Sequence, residues 1–289
     1  MINHLLSIVS LIIIVLAFLF AYKRNFGVTL ALLISNFAIF IISSLYPEVV
    51  FDLGFKPTYL YENPARLYTL VTTMFLHADL SHLLGNMITL FFLGIPFERR
   101  VGWKKFSLIY FISSIGGAVL YSMINPKPVL LIGASGAIFG ILGAFALAYP
   151  FDEIIMPLPV FFVAFLTRIK VIYAAIFFGF LEIAFSFFSS SYDNVAHVAH
   201  IGGLLTGIAL SYVLLRERKV RIGIVEYRNL EEVSNDVRLI DRIRYESIPE
   251  VRNEWMREFI RNYRCPYCGG KLRIFRGNIY CRRCDVIFR

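Results

Sequence analysis

Gly133-Ala134-Ser135-Gly136-Ala137-Ile138-Phe139-Gly140 lies within an apolar run, 130 to 149, long enough to enter a bilayer. Small residues at 133, 136, 140 and 143 give two overlapping faces on which neighbouring helices can approach closely. The serine among them has two readings. Its hydroxyl can bond back to a carbonyl of its own helix within a packing motif, or it can be a nucleophile if a base lies beside it. Burying a hydroxyl or an imidazole without a partner costs roughly 1 to 3 kcal/mol, so polar groups at membrane depth call for a reason.

The surrounding composition makes this a membrane chain. It has 289 residues and is 58% hydrophobic, well above the roughly 45 to 50% of a soluble domain. Seven apolar stretches are expected to span: 4 to 22, 27 to 46, 80 to 97, 105 to 123, 130 to 149, 171 to 190 and 194 to 215. The first lacks a basic segment before it and a small-residue cleavage site after it, so it reads as an uncleaved helix.

Charge orients these spans. Lys23 and Arg24 follow the first helix, and counting from a cytoplasmic position there puts Arg99, Arg100, Lys104, Lys105, Arg168, Lys170 and the tail from Arg216 on the same side. The opposite loops hold few cations, so the N-terminus is expected outside and the C-terminal tail in the cytoplasm. This asymmetry accounts for most of the net charge of +9, and nucleic acid is not an expected partner. Ser135 then falls about five residues below the outer start of its run and His200 about six, roughly 7 to 10 Å down for each.

His200, in Ala199-His200-Ile201-Gly202-Gly203, is the base that would activate Ser135, with His197 one turn nearer the surface as its competitor. His82 and Asn86 are four apart and share a helix face, so both can donate towards an oxyanion; the alternative is a polar packing pair. Asp79 and Asp193 are read as interface residues. Glu182, inside the sixth span, is read as a packing or cavity-facing group, with a proton or ion site as the alternative. The loop from 47 to 69 is either an exposed connection or an interfacial element anchored by Phe51, Phe55, Tyr59 and Tyr61.

With these motifs in this order, the chain resembles the rhomboid family of intramembrane serine proteases over roughly residues 27 to 215. The resemblance implies an all-α polytopic membrane protein with a six-helix core, preceded here by one additional transmembrane helix, 1 to 26. It implies a Ser135–His200 dyad rather than a triad, His82 and Asn86 as oxyanion donors, no cofactor for catalysis, and transmembrane protein substrates cut near the outer membrane face. Glu98 and Arg99 would be structural. Phe139 stands where many relatives carry Tyr, and it can stack on His200 without donating a hydrogen bond.

After the core, residues 216 to 264 are mixed in charge and read as a solvated helical linker. Residues 265 to 289 carry all four cysteines, Cys265-Pro266-Tyr267-Cys268 and Cys281-Arg282-Arg283-Cys284, with turns at Gly269-Gly270 and Gly277-Asn278. Two CxxC pairs separated by twelve residues point to a small cytoplasmic zinc ribbon holding a structural Zn²⁺, with disulfides as the alternative. A cytoplasmic protein is one partner such a ribbon could recruit. Two other functions remain open: a noncatalytic rhomboid-like binder of membrane proteins, and a metal transporter using His77, His82, His197 and His200. No HExxH motif supports a zinc protease.

Overall fold

Hydropathy and length carry most of the architecture. In the structure, a computed structural model describing residues 4–24, 26–160, 163–188, 196–215, 228–246, 249–275 and 278–288, six described helices are long and apolar enough to cross a bilayer. They are α1 (Leu5–Arg24), α2 (Val28–Leu45), α3 (Leu80–Val101), α4 (Trp103–Ile124), α6 (Val171–Phe188) and α7 (His197–Leu214). Asp193, Arg216 to Arg221 and Gly277 lie outside the described residues.

The fifth expected span is shorter than its apolar run, because α5 begins only at Ser135 and ends at Ala148. Residues 130 to 133 are not helical, and Ala134 is the N-cap of α5. Leu131 donates its N–H to the Phe55 carbonyl at 2.8 Å and Gly133 donates to the Thr73 carbonyl at 3.1 Å, bonds that a helix through this segment would forfeit. Fourteen residues give α5 a length of about 21 Å against a hydrocarbon core of roughly 30 Å. Ser135 therefore opens its helix instead of lying a turn inside it.

Helix α5 is buried nearly all round, from Ala137 to Ala146. Helix α7 reaches it closely because a Cβ on Gly203 would be driven into the Gly136 carbonyl, and one on Gly207 into the Gly140 carbonyl. Helix α4 joins them through Gly117, which lies against the Ala199 carbonyl. In α3 the turn Leu90–Gly94 widens to π geometry just before Pro96. That widening accommodates a residue with no N–H and a ring that crowds the preceding turn.

Glu98 binds the start of α2. Its carboxylate accepts the Val28 N–H at 2.6 Å, the Thr29 N–H at 2.8 Å and the Thr29 hydroxyl at 2.7 Å. Gly27 permits this approach, since a Cβ there would lie 2.7 Å from Glu98 Oε2. At the other end of the unit, buried Asp52 receives the His4 N–H at 3.1 Å and the Ser7 hydroxyl at 2.9 Å, which ties the first turn of α1 to the segment after α2.

That segment is folded, with short helices at Glu48–Leu53, Tyr59–Glu62 and Thr69–Thr72. Phe55 is fully buried in it, while Phe51 and Tyr61 face outward. The all-α expectation needs one correction. Residues Glu153–Val160 (β1) and Val163–Lys170 (β2) form an antiparallel hairpin, Glu153 opposite Lys170. Pro157 and Pro159 disfavour a helix there, and the alternation of buried Ile154, exposed Ile155 and buried Met156 has the period of a strand.

The chain divides into two compact units, Met1–Arg216 and Glu217–Arg289. In the second, α8 (Val237–Tyr245) and α9 (Pro249–Asn262) share one core with an antiparallel sheet of β3 (Leu272–Phe275), β4 (Asn278–Cys281) and β5 (Val286–Phe288). Leu239, Ile240, Ile243, Met256 and Phe259 pack with Cys265, Leu272, Ile279 and Phe288. The helices read as a solvated linker thus supply apolar faces to the cysteine-bearing sheet. Asp236 caps α8 through the Leu239 N–H at 3.2 Å and accepts the Tyr263 hydroxyl at 2.7 Å.

Replacing Glu98 with Ala strands the Val28 and Thr29 donors in a buried site. A loss of about 1 to 3 kcal/mol is expected, read as a lower thermal unfolding midpoint in detergent.

Candidate functional site

Ser135 sits at a helix start made by Gly133, whose φ of +122° belongs to backbone that residues with a Cβ rarely adopt. The first N–H groups of α5 have no partner within the helix, and its positive dipole end points to the same space. Thr73 holds the approach to this turn by bonding Leu131 with its hydroxyl and Gly133 with its carbonyl.

Across the close contact between α5 and α7, His200 Nε2 lies 2.7 Å from Ser135 Oγ. The imidazole stacks on Phe139 with ring centroids 4.8 Å apart and planes 11° from parallel. Ser135 is the first residue of its helix and His200 the fourth of its own, so neither lies five or six residues inside a helix as the apolar runs lead one to expect. Helix packing brings them together.

His82 is beside the same turn, since a Cβ on Gly133 would be 2.8 Å from His82 Nε2 and 3.7 Å from Ser135 Oγ. Its helix is capped by Asp79, which accepts the His82 N–H at 2.8 Å and the Ser81 hydroxyl at 2.5 Å. Those bonds, Ser81's first, hold the Asp79 carboxyl below its ordinary range. Asn86 lies one turn further on, mostly buried, and donates one amide N–H to the His82 carbonyl at 3.1 Å, leaving its second N–H available.

Glu182, expected as a packing or cavity-facing group of the sixth span, faces two histidines. Its Oε2 is 2.7 Å from His197 Nδ1 and 3.0 Å from His200 Nδ1. Residue spacing carried no sign of this, because Glu182 and the histidines belong to different helices whose rotation is set by packing. His197, the competing base, is directed to Glu182, and the imidazole against Ser135 is that of His200. The four histidines of the transporter reading fall into two groups, His77 with His82 at 5.0 Å between rings and His197 with His200 at 6.3 Å.

In the second unit the four cysteines converge, with their sulfurs all within 4.8 Å of one another and none in a disulfide. Cys265 Sγ is 3.5 Å from Cys284 Sγ and Cys268 Sγ is 3.4 Å from Cys281 Sγ. A tetrahedral ion with Zn–S bonds of about 2.3 Å would have sulfur–sulfur edges of about 3.8 Å, so the donor set fits such an ion with small adjustment. Gly269, at φ +66°, turns the first pair, and a Cβ on Gly270 would lie 3.0 Å from Cys281 Sγ.

A family model described as Rhomboid domain matches residues 64–217. RHOMBOID-like protein 1 of Arabidopsis thaliana is 34% identical over 152 residues, covering 52% of this chain and 35% of that protein. Rhomboid-like protease 3 of Toxoplasma gondii is 34% identical over 149 residues, covering 50% and 51%. The putative rhomboid protease YdcA of Bacillus subtilis (strain 168) is 31% identical over 155 residues, covering 53% and 70%. The chain spans between 34% and 48% of the length of the first three Arabidopsis relatives it matches.

Gly133→Ala combines backbone strain of about 1 to 3 kcal/mol with a methyl group against His82. The thermal unfolding midpoint in detergent should fall accordingly, measured on the purified protein.

Proposed function

Because the chain belongs to the rhomboid family and is a multi-pass membrane protein, we propose that it is an intramembrane serine endopeptidase in which Ser135 is the nucleophile and His200 the general base. The observation that carries this reading is the 2.7 Å contact between Ser135 Oγ and His200 Nε2 at the free N-terminus of a buried helix. His200 Nε2 takes the hydroxyl proton as Ser135 Oγ bonds to the scissile carbonyl carbon. His82, Asn86 and the Ser135 backbone N–H supply the oxyanion with hydrogen bonds. The imidazolium then protonates the leaving amine, and water hydrolyses the acyl-enzyme by the same steps.

The substrates are transmembrane proteins, cut near the outer face. Orientation follows from charge. Lys23, Arg24, Arg99, Arg100, Lys104 and Lys105 flank the end of the bundle at which Glu98 caps α2, whereas the Ser135 end shares its loops with Asp52, Phe55 and Leu131. Ser135 and the N-terminus are then outside and the tail is cytoplasmic. Helix α1 is an addition to the six-helix core, docked through Asp52. In the tail, Cys265, Cys268, Cys281 and Cys284 would hold a Zn²⁺ that stabilises the ribbon and its helices and leaves no open position for catalysis. A cytoplasmic protein is the partner this unit would recruit.

Cleavage of a transmembrane reporter by protein in liposomes should vanish in Ser135→Ala and in His200→Ala. It should fall about 10²- to 10³-fold in His82→Ala. Activity surviving Ser135→Ala would exclude the mechanism. Separately, the purified chain should carry one zinc per molecule by mass spectrometry, lost in Cys268→Ser/Cys281→Ser. A chelator should unfold the tail without stopping cleavage.

A further inference from the structure

Ser135 and His200 account for attack and proton transfer, but they leave the far side of the imidazole unexplained. His200 Nδ1 is buried, and Glu182 Oε2 lies 3.0 Å from it. The oxygen stands off the N–H axis, so the contact is an ion-pair approach that a small rotation would turn into a hydrogen bond. The same oxygen is held by His197 Nδ1 at 2.7 Å, which restrains the carboxylate rotamer. Side-chain exposures of 9% for His197, 11% for His200 and 13% for Glu182 put the contact largely out of water.

A carboxylate in the sixth apolar span is costly unless it is paired, and both of its contacts here are imidazoles. We propose that Glu182 is a positioning residue for the reaction: it keeps the proton of neutral His200 on Nδ1, so that the Nε2 lone pair faces Ser135, and it steadies the imidazolium that forms. The inference rests on the function proposed above and makes the site a relay of three side chains on α5, α7 and α6. During attack the Ser135 hydroxyl proton moves to His200 Nε2, the Nδ1 proton stays in place and approaches Glu182 Oε2, and the carboxylate remains ionised throughout. Reprotonation of the leaving amine returns His200 to the tautomer from which it started. His197 acts one step further out by holding the carboxylate oriented.

Purified full-length protein in liposomes, with a transmembrane reporter and a fluorophosphonate as probes, tests this. In Glu182→Gln, which keeps size and packing but allows the His200 tautomer to invert, kcat should fall about 10²-fold while KM stays within about two-fold. Fluorophosphonate labelling of Ser135 should slow in parallel with an unchanged thermal midpoint, and Glu182→Asp should recover part of kcat. If Glu182→Gln folds poorly, Glu182→Met replaces the buried amide by an apolar group of similar length and is measured the same way. A folded Gln or Met variant with wild-type kcat overturns the proposal, and so does a loss that tracks thermal stability and is not relieved in Glu182→Asp. Ser135→Ala is run beside these: if it still cleaves, the protease reading has failed, whereas a dead Ser135→Ala with an active Glu182→Gln removes Glu182 alone.

Discussion

Gly203 and Gly207 rest against the Gly136 and Gly140 carbonyls, and the membrane unit depends on how close that lets α7 come to α5. Two helices with ordinary side chains between them stand about 8 to 10 Å apart, too far for a serine hydroxyl to meet a histidine ring without side chains bridging the gap. Removing the Cβ atoms removes the spacer. Lipid offers no hydrophobic drive for helix pairing, so dispersion contacts along this seam do the work and any added methyl group is felt.

Polar groups in the same unit follow a second rule: each strongly buried charge is occupied locally. Glu98 meets three donors at the start of α2, and Asp52 meets His4 and Ser7 at the start of α1. Both carboxylates fasten an element that composition alone would leave free to slide or rotate in the bilayer. Glu182 is paired with two histidines. It differs because one of those partners also touches the Ser135 hydroxyl, so the pairing that satisfies the charge also bears on that hydroxyl.

The second unit solves a different problem with different means. A three-stranded sheet of short strands has little apolar area of its own, and here α8 and α9 cover it with Ile240, Ile243, Met256 and Phe259. Four converging thiols add a place where a metal would contribute folding free energy. The mixed charge along 216 to 264 conceals this, because an amphipathic helix carries its cations on one face and its core residues on the other.

Composition and local pattern were sufficient for the membrane class, for six of the spans, for the cysteine cluster and for Ser135, His82, Asn86 and His200 as residues of interest. Spanning a bilayer is a property of a stretch of about twenty residues, and the polar exceptions within such stretches are few enough to pick out. The hairpin at 153 to 170 was overlooked because two prolines and a basic end resemble a loop. The start of α5 at Ser135 is not visible in the apolar run because the bonds that hold Leu131 and Gly133 out of a helix come from Phe55 and Thr73, far away in the chain. Which histidine faces Ser135, and that Glu182 stands behind it, depended on the rotation and depth of α6 and α7 about their neighbours. Packing between helices sets those two quantities, and no periodicity within a single helix encodes them.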